Sequence, residues 1–192
     1  MLSEETATRK LCLSCGLCCN GVIFRDVKLR ARDDVAVLQS YGLPILGQGS
    51  GRLAQPCAAL DGCRCRVYAN RPMYCQQFEC GLFKGVVAGH VKLAAALRLV
   101  RNARRRVQQV GRLLRGLGDQ DDQSPLKARF DRVVEQASHG LPDKKTAGRF
   151  GRLTLAMHEL NLLLSDWFYP GRREGEGAKS RVRRIAGTRQ ER

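Results

Sequence analysis

Nine cysteines, all placed before residue 81 of a 192-residue chain, constrain its fold more than any other feature. The first four, Cys12, Cys15, Cys18 and Cys19, form the pattern C-x2-C-x2-C-C. A two-residue spacer lets a tight turn direct two sulfurs at one metal, with backbone N–H groups free to donate to the thiolates. The cysteine count is odd and the amino terminus lacks the apolar segment of a signal peptide. The sequence therefore favours metal binding over a disulfide framework.

The cysteine spacing leaves both the metal and the number of centres open. Three cysteines at two-residue spacing match the first three ligands of a bacterial ferredoxin run, whose fourth ligand comes from elsewhere. Because adjacent side chains point in different directions, we expect Cys18 and Cys19 to serve two centres, or one of them to be a spare. Eight thiolates suffice for two four-coordinate sites, so the cofactor is predicted to be an iron–sulfur cluster or zinc in one or two centres. Iron–sulfur is slightly favoured for at least one of them. The cysteines available to complete the sites are Cys57, Cys63, Cys65, Cys75 and Cys80.

Three segments resemble the YkgJ-like cysteine-cluster family (CxxCxxCC), a zinc- or iron-chelating domain: CLSCGLCC at 12–19, PCAAL at 56–60 and CRVYANRPMYCQQFEC at 65–80. Beside the cysteines, the matching positions are Gly16, Tyr68, Arg71, Pro72 and Phe78. Two positions depart from the family pattern: Gln76 replaces the usual arginine, and Cys63 is a ninth cysteine, either free or a substitute ligand. The resemblance implies metal chelation through eight residues: Cys12, Cys15, Cys18, Cys19, Cys57, Cys65, Cys75 and Cys80.

The matching polar and aromatic residues are interpreted as scaffold rather than catalytic groups. Proline fixes the chain ahead of Cys75, and Arg71 is expected to donate hydrogen bonds to carbonyl oxygens or to offset the negative charge of metal-bound thiolates. No positioned base, nucleophile or cofactor loop supports an oxidoreductase or a methyltransferase, so an enzyme is disfavoured. The G-x-G-x-G run at 47–51 lacks a surrounding βαβ unit and is interpreted as a flexible turn.

The second unusual feature is a formal net charge of +16, with a pI near 10.1. Five arginines repeat at intervals of three, four and seven residues, on the helix side opposite an apolar stripe and with no acid nearby. Such a row suits the phosphate groups of nucleic acid or another polyanion, and the alternative is a solvated surface. The candidate nucleic-acid contacts are Arg98, Arg101, Arg105, Arg112 and Arg115.

Apolar residues spaced by three and four predict three helices in the second half of the chain. The first covers about 88–117, and the second has Ser124 as N-cap with Pro125 at the first helical position and stops near Gly140. The third carries the stripe from Phe150 to Leu164 and is ended by Pro170. The first half lacks periodicity; a short strand is expected over 21–29 and a short helix over 33–40.

The predicted fold is α+β and α-rich, a small irregular metal-bound cysteine-rich domain followed by a three-helix portion. The predicted boundaries are 1–88 for the cysteine domain, 89–170 for a helical bundle or cap, and 171–192 for a disordered basic tail. No apolar run is long enough to span a bilayer, so a cytoplasmic location is expected. The predicted function is metal chelation with a structural, redox or metal-handling role. The alternative is a metal-stabilised adaptor that binds nucleic acid through its basic helix and tail.

Overall fold

A computed structural model describes residues 4–47, 51–140 and 143–169 of the chain. Over these ranges it is α+β and α-rich, with long helices in the second half and short antiparallel sheets in the first, as the sequence predicts. The elements, in chain order, are α1 (Glu4–Leu13), β1 (Asp26–Lys28), α2 (Val35–Ser40), β2 (Ile45–Leu46), β3 (Arg52–Ala54), β4 (Leu60–Asp61), β5 (Arg64–Cys65), a 3₁₀ turn (Tyr68–Asn70), α3 (Met73–Gln77), α4 (Gly81–Val87), α5 (Leu93–Arg115), α6 (Leu126–Ser138) and α7 (Lys144–Trp167).

Two small antiparallel sheets organise the cysteine-rich half. Strand β3 lies between β1 and β2, so that Val27 and Ile45 both pair with Leu53, and β4 pairs with β5 in a separate hairpin. The strand expected over 21–29 is present but only three residues long. Helix α2 matches its expectation and is capped by Asp34, whose carboxylate accepts from the Val37 N–H at 3.0 Å. A smaller core forms beneath these elements from Val27, Leu29, Leu38, Leu43, Leu53, Ala59 and Val67.

The three long helices pack together along their predicted apolar stripes. Helix α5 lies against α7 and α6 and also contacts α1 and α4. Asp143 begins α7 by accepting from the Thr146 N–H at 2.8 Å, a standard N-cap. The stripe residues that become fully buried are Ala96, Val100, Ala103, Val110 and Leu114 on α5, Leu126 and Val133 on α6, and Leu153, Met157, Leu160 and Leu164 on α7.

Two helix boundaries differ from the prediction. The helix expected from about residue 88 begins only at Leu93, because Gly89 takes φ +71° between the end of α4 and the start of α5. Helix α6 has Pro125 at its N-cap rather than at its first helical position. Ser124 does not cap it, since its hydroxyl donates to the Asp121 carboxylate instead. Pro170 and the predicted basic tail, 171–192, lie outside the described residues.

A larger core joins the two halves of the chain. It contains Leu11, Leu17 and Leu82 from the cysteine-rich half together with the buried stripes of the long helices. Phe168, just after α7, is fully buried in the same core. The predicted division at residues 88 and 89 stays a prediction. No helix in the described ranges is both long enough and apolar enough to cross a membrane.

Candidate metal centre

All nine cysteines line one cavity of about 130 Å³. The cavity lies where the two hydrophobic cores meet. Val27 and Leu53 of the smaller core line it, as do Leu82 and Phe168 of the larger core. The fold therefore brings together thiols that are up to 68 positions apart along the chain. They are Cys12, Cys15, Cys18, Cys19, Cys57, Cys63, Cys65, Cys75 and Cys80.

Burial dominates the acid–base chemistry of these thiols. Loss of hydration raises the pKa of Cys15, Cys19 and Cys75 to about 12 and that of Cys12 to about 11, from an ordinary 9.0. The cause is the cost of placing a thiolate in an apolar surrounding. A cation bound among the sulfurs would remove that cost, because metal ligation deprotonates a thiol outright.

Electrostatic coupling between neighbouring thiols groups eight of them into two sets of four that also act on each other: Cys19 raises the pKa of Cys18 more than Cys12 does, and Cys15 raises the pKa of Cys19. For Cys12, Cys15 and Cys18, burial is the main cause of the raised pKa. Cys80 then raises that of Cys12, Cys15 and Cys18, and Cys12 raises that of Cys15 and Cys18. Of these three thiols, Cys15 is the one whose pKa is also raised by Cys63. The first cysteine set therefore comprises Cys12, Cys15, Cys18 and Cys80, with Cys63 beside it.

The second cysteine set comprises the other four. After burial, the pKa of Cys19 is raised by Cys57, Cys75 and Cys65, in that order. Cys57 and Cys65 likewise raise the pKa of Cys75. The Cys57 N–H donates to the Cys19 carbonyl oxygen at 2.7 Å, which ties the two segments together. After burial, the largest effects on the pKa of Cys18 come from Cys15 and Cys80 and those on Cys19 from Cys57 and Cys75, so we place the two neighbours in different sets.

Backbone N–H groups point at sulfurs in both sets. The Phe83 N–H donates to Cys80 Sγ at 3.4 Å, because Cys80 is the N-cap of α4. Cys15 accepts from the Leu17 N–H, and Cys57 accepts from two N–H groups of the turn that follows it. These bonds lower each pKa against the effect of burial. Such donors typically surround metal thiolates, whose negative charge they share.

Arg71 lies beside both cysteine sets. Its guanidinium stacks 3.7 Å from the centre of the Tyr68 ring, and its Nε donates to the Tyr68 carbonyl oxygen at 2.9 Å. The expected hydrogen bond from arginine to a carbonyl is therefore confirmed. The positive charge of Arg71 lowers the pKa of Cys12 in one set and of Cys75 in the other, against the effect of burial. Gln76, which stands where the family has arginine, donates to the Arg71 carbonyl oxygen at 2.5 Å.

Helix α3, which carries Cys75, is held by residues that the sequence patterns did not identify as part of the site. Asp33 Oδ1 accepts from the Met73 N–H at 2.7 Å and so caps the helix from forty positions away. Phe24 packs edge-on against Tyr74 and Phe78, with ring centres 5.6 and 4.7 Å away. Aromatic contacts of this kind fix the helix that presents the thiol.

Gly16 and Gln55 are two further residues at the cavity. Gly16 has φ +70°, and a Cβ there would lie 3.3 Å from the Cys63 Cα, so only glycine lets the two cysteine turns approach this closely. Gln55 is 4% exposed and lines the cavity, and its Oε1 has no hydrogen-bond partner. An isolated glutamine carries no sequence signal that could have identified it.

The donor chemistry fits a thiophilic metal, but the sulfurs are not set in a coordinating arrangement. Among the described residues, no three histidine, cysteine, aspartate or glutamate side chains are positioned to hold a metal ion. Coordination by either cysteine set therefore requires its sulfurs to lie closer together than they do in this structure. The histidines lie exposed and away from this cavity: His90, His139 and His158.

The five predicted arginines lie exposed on α5, as the helical period requires. The expectation that no acid is near them was wrong for Arg115, which pairs with Asp122 at 3.2 Å on the loop before α6. Arg105 donates to Asn102. The remaining three have no ion pair or hydrogen bond within the described part of the chain: Arg98, Arg101 and Arg112.

Residues 11–91 match the model of the CxxCxxCC family, whose description reads "Putative zinc- or iron-chelating domain". The matched range contains the nine cysteines, both small sheets and α4. This finding confirms the resemblance seen in the sequence. No curated protein and no solved structure matches the chain.

Proposed function

Because residues 11–91 match the model of the CxxCxxCC family, we propose that this protein chelates metal through two four-thiolate centres. The observation that carries the proposal is the convergence of all nine cysteines on one cavity, where the largest couplings between thiols group eight of them into two sets of four. The ligands of the first centre are Cys12, Cys15, Cys18 and Cys80, and those of the second are Cys19, Cys57, Cys65 and Cys75.

We assign an iron–sulfur cluster to the first cysteine set. Its C-x2-C-x2-C run with a remote fourth cysteine is the ligand order of ferredoxin-type clusters. The second cysteine set has one cysteine from each of four separate segments, which suits zinc as well as a second cluster. A cluster supplies one-electron transfer, whereas zinc supplies only a structural link.

The surrounding residues support a resident metal. Arg71 brings positive charge to both sets, and N–H donors reach sulfurs in each. Eight of the nine cysteines are half-buried and only Cys12 is exposed, and this partial loss of hydration favours metal-bound thiolates over free ones. Since the cysteine-rich half has only a small core of its own, metal binding should be coupled to its folding. Reduced thiols persist in the cytoplasm, where we place the protein.

The test compares neighbouring cysteines that belong to different centres. Wild-type protein and the variants Cys18→Ser, Cys19→Ser and Cys63→Ser are purified anaerobically without added metal. Iron, zinc and acid-labile sulfide are measured alongside visible absorption. We expect Cys18→Ser to lose the iron, sulfide and colour of one cluster, and Cys19→Ser to lose the metal of the second centre. Cys63→Ser is the matched control and should keep the wild-type content.

Four results would contradict all or part of the proposal. Wild-type protein without metal would remove chelation itself. Equal loss of all metal in Cys18→Ser and Cys19→Ser would show a single shared centre. A Cys63→Ser variant that loses metal would show that the ninth cysteine is a ligand. Two zinc ions with no sulfide would keep the two centres but overturn the cluster assignment.

A second candidate function is nucleic-acid binding through the exposed row on α5. Arg98 and Arg101 have no partner in the described part of the chain and so present unpaired positive charge. Together with Arg105 they would contact backbone phosphates. Replacing all three by glutamine should lower the slope of log affinity against log salt for duplex DNA by about 2 to 3, while the metal content stays unchanged. An unchanged slope, or wild-type protein that binds neither DNA nor RNA, would remove this function.

A further inference from the structure

A second cavity, of about 520 Å³, opens along the middle of α5. We call it the α5 cleft. Its α5 wall includes Gln108, Gly111, Arg112 and Arg115, and the facing wall includes Asp122 and Arg129 from the loop before α6 and from α6 itself. Its volume falls within the range of about 300–1,000 Å³ usual for small-molecule sites. The cleft is separate from the cavity that the nine cysteines line.

The charge of the α5 cleft is positive and held in place. Arg129 is only 5% exposed, and its guanidinium bonds to Asp119 at 2.8 Å and to Asp122 at 2.5 Å. Asp122 also accepts from Arg115 at 3.2 Å, so one carboxylate orients two guanidinium groups. Arg112 has no partner in the described part of the chain. With Asp119 counted as the partner of Arg129, three arginines against two aspartates leave a net charge of +1.

The cleft has the features of an anion site rather than of a stacking platform. Arg112 and Arg115 are three positions apart on one helix, where side chains are neighbours. A pair of guanidinium forks at that spacing suits the several oxygens of a phosphate group. Among the described residues that line it there is no aromatic side chain, so a nucleobase would find none to stack on. Gly111 is buried without a side chain, which lets the cleft reach the helix backbone.

We propose that the α5 cleft binds a small phosphate-bearing anion, with its phosphate between Arg112 and Arg115. The cleft lies next to the second cysteine set, since Asn20 and Pro56 in its lining adjoin Cys19 and Cys57 in the chain. A bound anion would therefore share its cleft with the chain neighbours of two proposed metal ligands. That adjacency rests on the proposed function, whereas the anion site itself does not.

The test is calorimetric titration of the purified full-length protein with pyrophosphate, and with citrate as a carboxylate comparison. Arg112→Gln should weaken pyrophosphate binding about ten-fold or more, because it removes a charged fork from phosphate. Arg101→Gln is the matched control: it removes one exposed arginine of the same helix outside the cleft. A second variant, Gly111→Leu, places a side chain in the cleft, where a Cβ would meet only Arg115 Nη1 at 3.9 Å. It should abolish binding without disturbing the helix.

The outcomes separate this site from the alternatives. Absence of pyrophosphate binding by wild-type protein would overturn the proposal. An equal loss in Arg101→Gln and Arg112→Gln would overturn it in favour of general attraction to the arginine row. Citrate binding as tight as pyrophosphate, with the same loss in Arg112→Gln, would show a carboxylate site instead. Metal content measured on the same samples reports on the proposed function independently, since none of these variants changes a cysteine.

Discussion

Replacing Asp119 by asparagine should destabilise the folded protein by about 3 kcal/mol, because it breaks a buried ion pair. The Asp119 carboxylate accepts from Arg129 at 2.8 Å and from Arg132 at 2.9 Å, and the side chains of Asp119 and Arg129 are only 5% and 6% exposed. Removing one partner of a buried pair leaves the other charge uncompensated, at a cost of about 3–5 kcal/mol. The lower end applies here because Arg129 retains Asp122 at 2.5 Å.

The assay is urea unfolding followed by far-ultraviolet circular dichroism, with metal content measured for each sample. In thermal unfolding of a chain of this length, the same loss of about 3 kcal/mol corresponds to a fall of about 6–12 °C in melting temperature. Asp131→Asn is the matched control, since Asp131 pairs with Lys127 at 2.7 Å while 48% and 63% of the two side chains are exposed. It should cost only about 0.3–0.5 kcal/mol. Equal effects of the two substitutions would refute the assignment of a structural role to the buried pair.

Three further predictions concern the residues around the cysteines. Gly16→Ala should lower the urea midpoint more than Gly42→Ala. Both glycines have positive φ, so alanine at either position costs about 1–2 kcal/mol of backbone strain. Of the two, only Gly16 would bring its new Cβ close to another backbone segment. Gln55→Met should leave the stability of metal-free protein unchanged or raise it by about 1 kcal/mol in the same assay, because the buried Oε1 has no partner to lose. Since burial raises the pKa of Cys15 and Cys19 from 9.0 to about 12, the folded state retains thiol protons longer than the unfolded chain. Metal-free protein should therefore lose stability from about pH 9 upward, and zinc binding at neutral pH should release protons, which a pH indicator in weak buffer would detect.

The helical half of the fold could be predicted because its signal is repetitive. In each long helix, apolar residues recur every three or four positions over several turns, which places them on one face of the helix. The larger core buries that face. Helix ends were less predictable, because a cap depends on where a side chain bonds. Ser124 is a good N-cap type, but it bonds to Asp121 instead. Nothing in the local pattern distinguishes these two choices.

The cysteine-rich half could be predicted only as a set of thiols. Strands of two or three residues are too short to show an alternating pattern, so β2 and β3 leave no signal in a turn-rich stretch. The assignment of Cys18 and Cys19 to different sets follows from their adjacent positions, since adjacent side chains point in different directions. The other members of each set come together through tertiary contacts that the sequence does not reveal. Cys80 joins the first set because it caps α4 beside the larger core. The α5 cleft likewise arises only when distant segments meet.

The larger core also limits how this chain can be divided or recombined. Leu17 and Leu82 come from the cysteine-rich half, yet they are buried with Val100 of α5 and Phe168 after α7. Leu82, Val100 and Phe168 also line the thiol cavity. A fragment cut at residue 88 would lose one wall of that cavity and expose apolar side chains on both products. Transfer of the cysteine segment to another protein, by engineering or by gene fusion, would therefore have to include α5 and the end of α7.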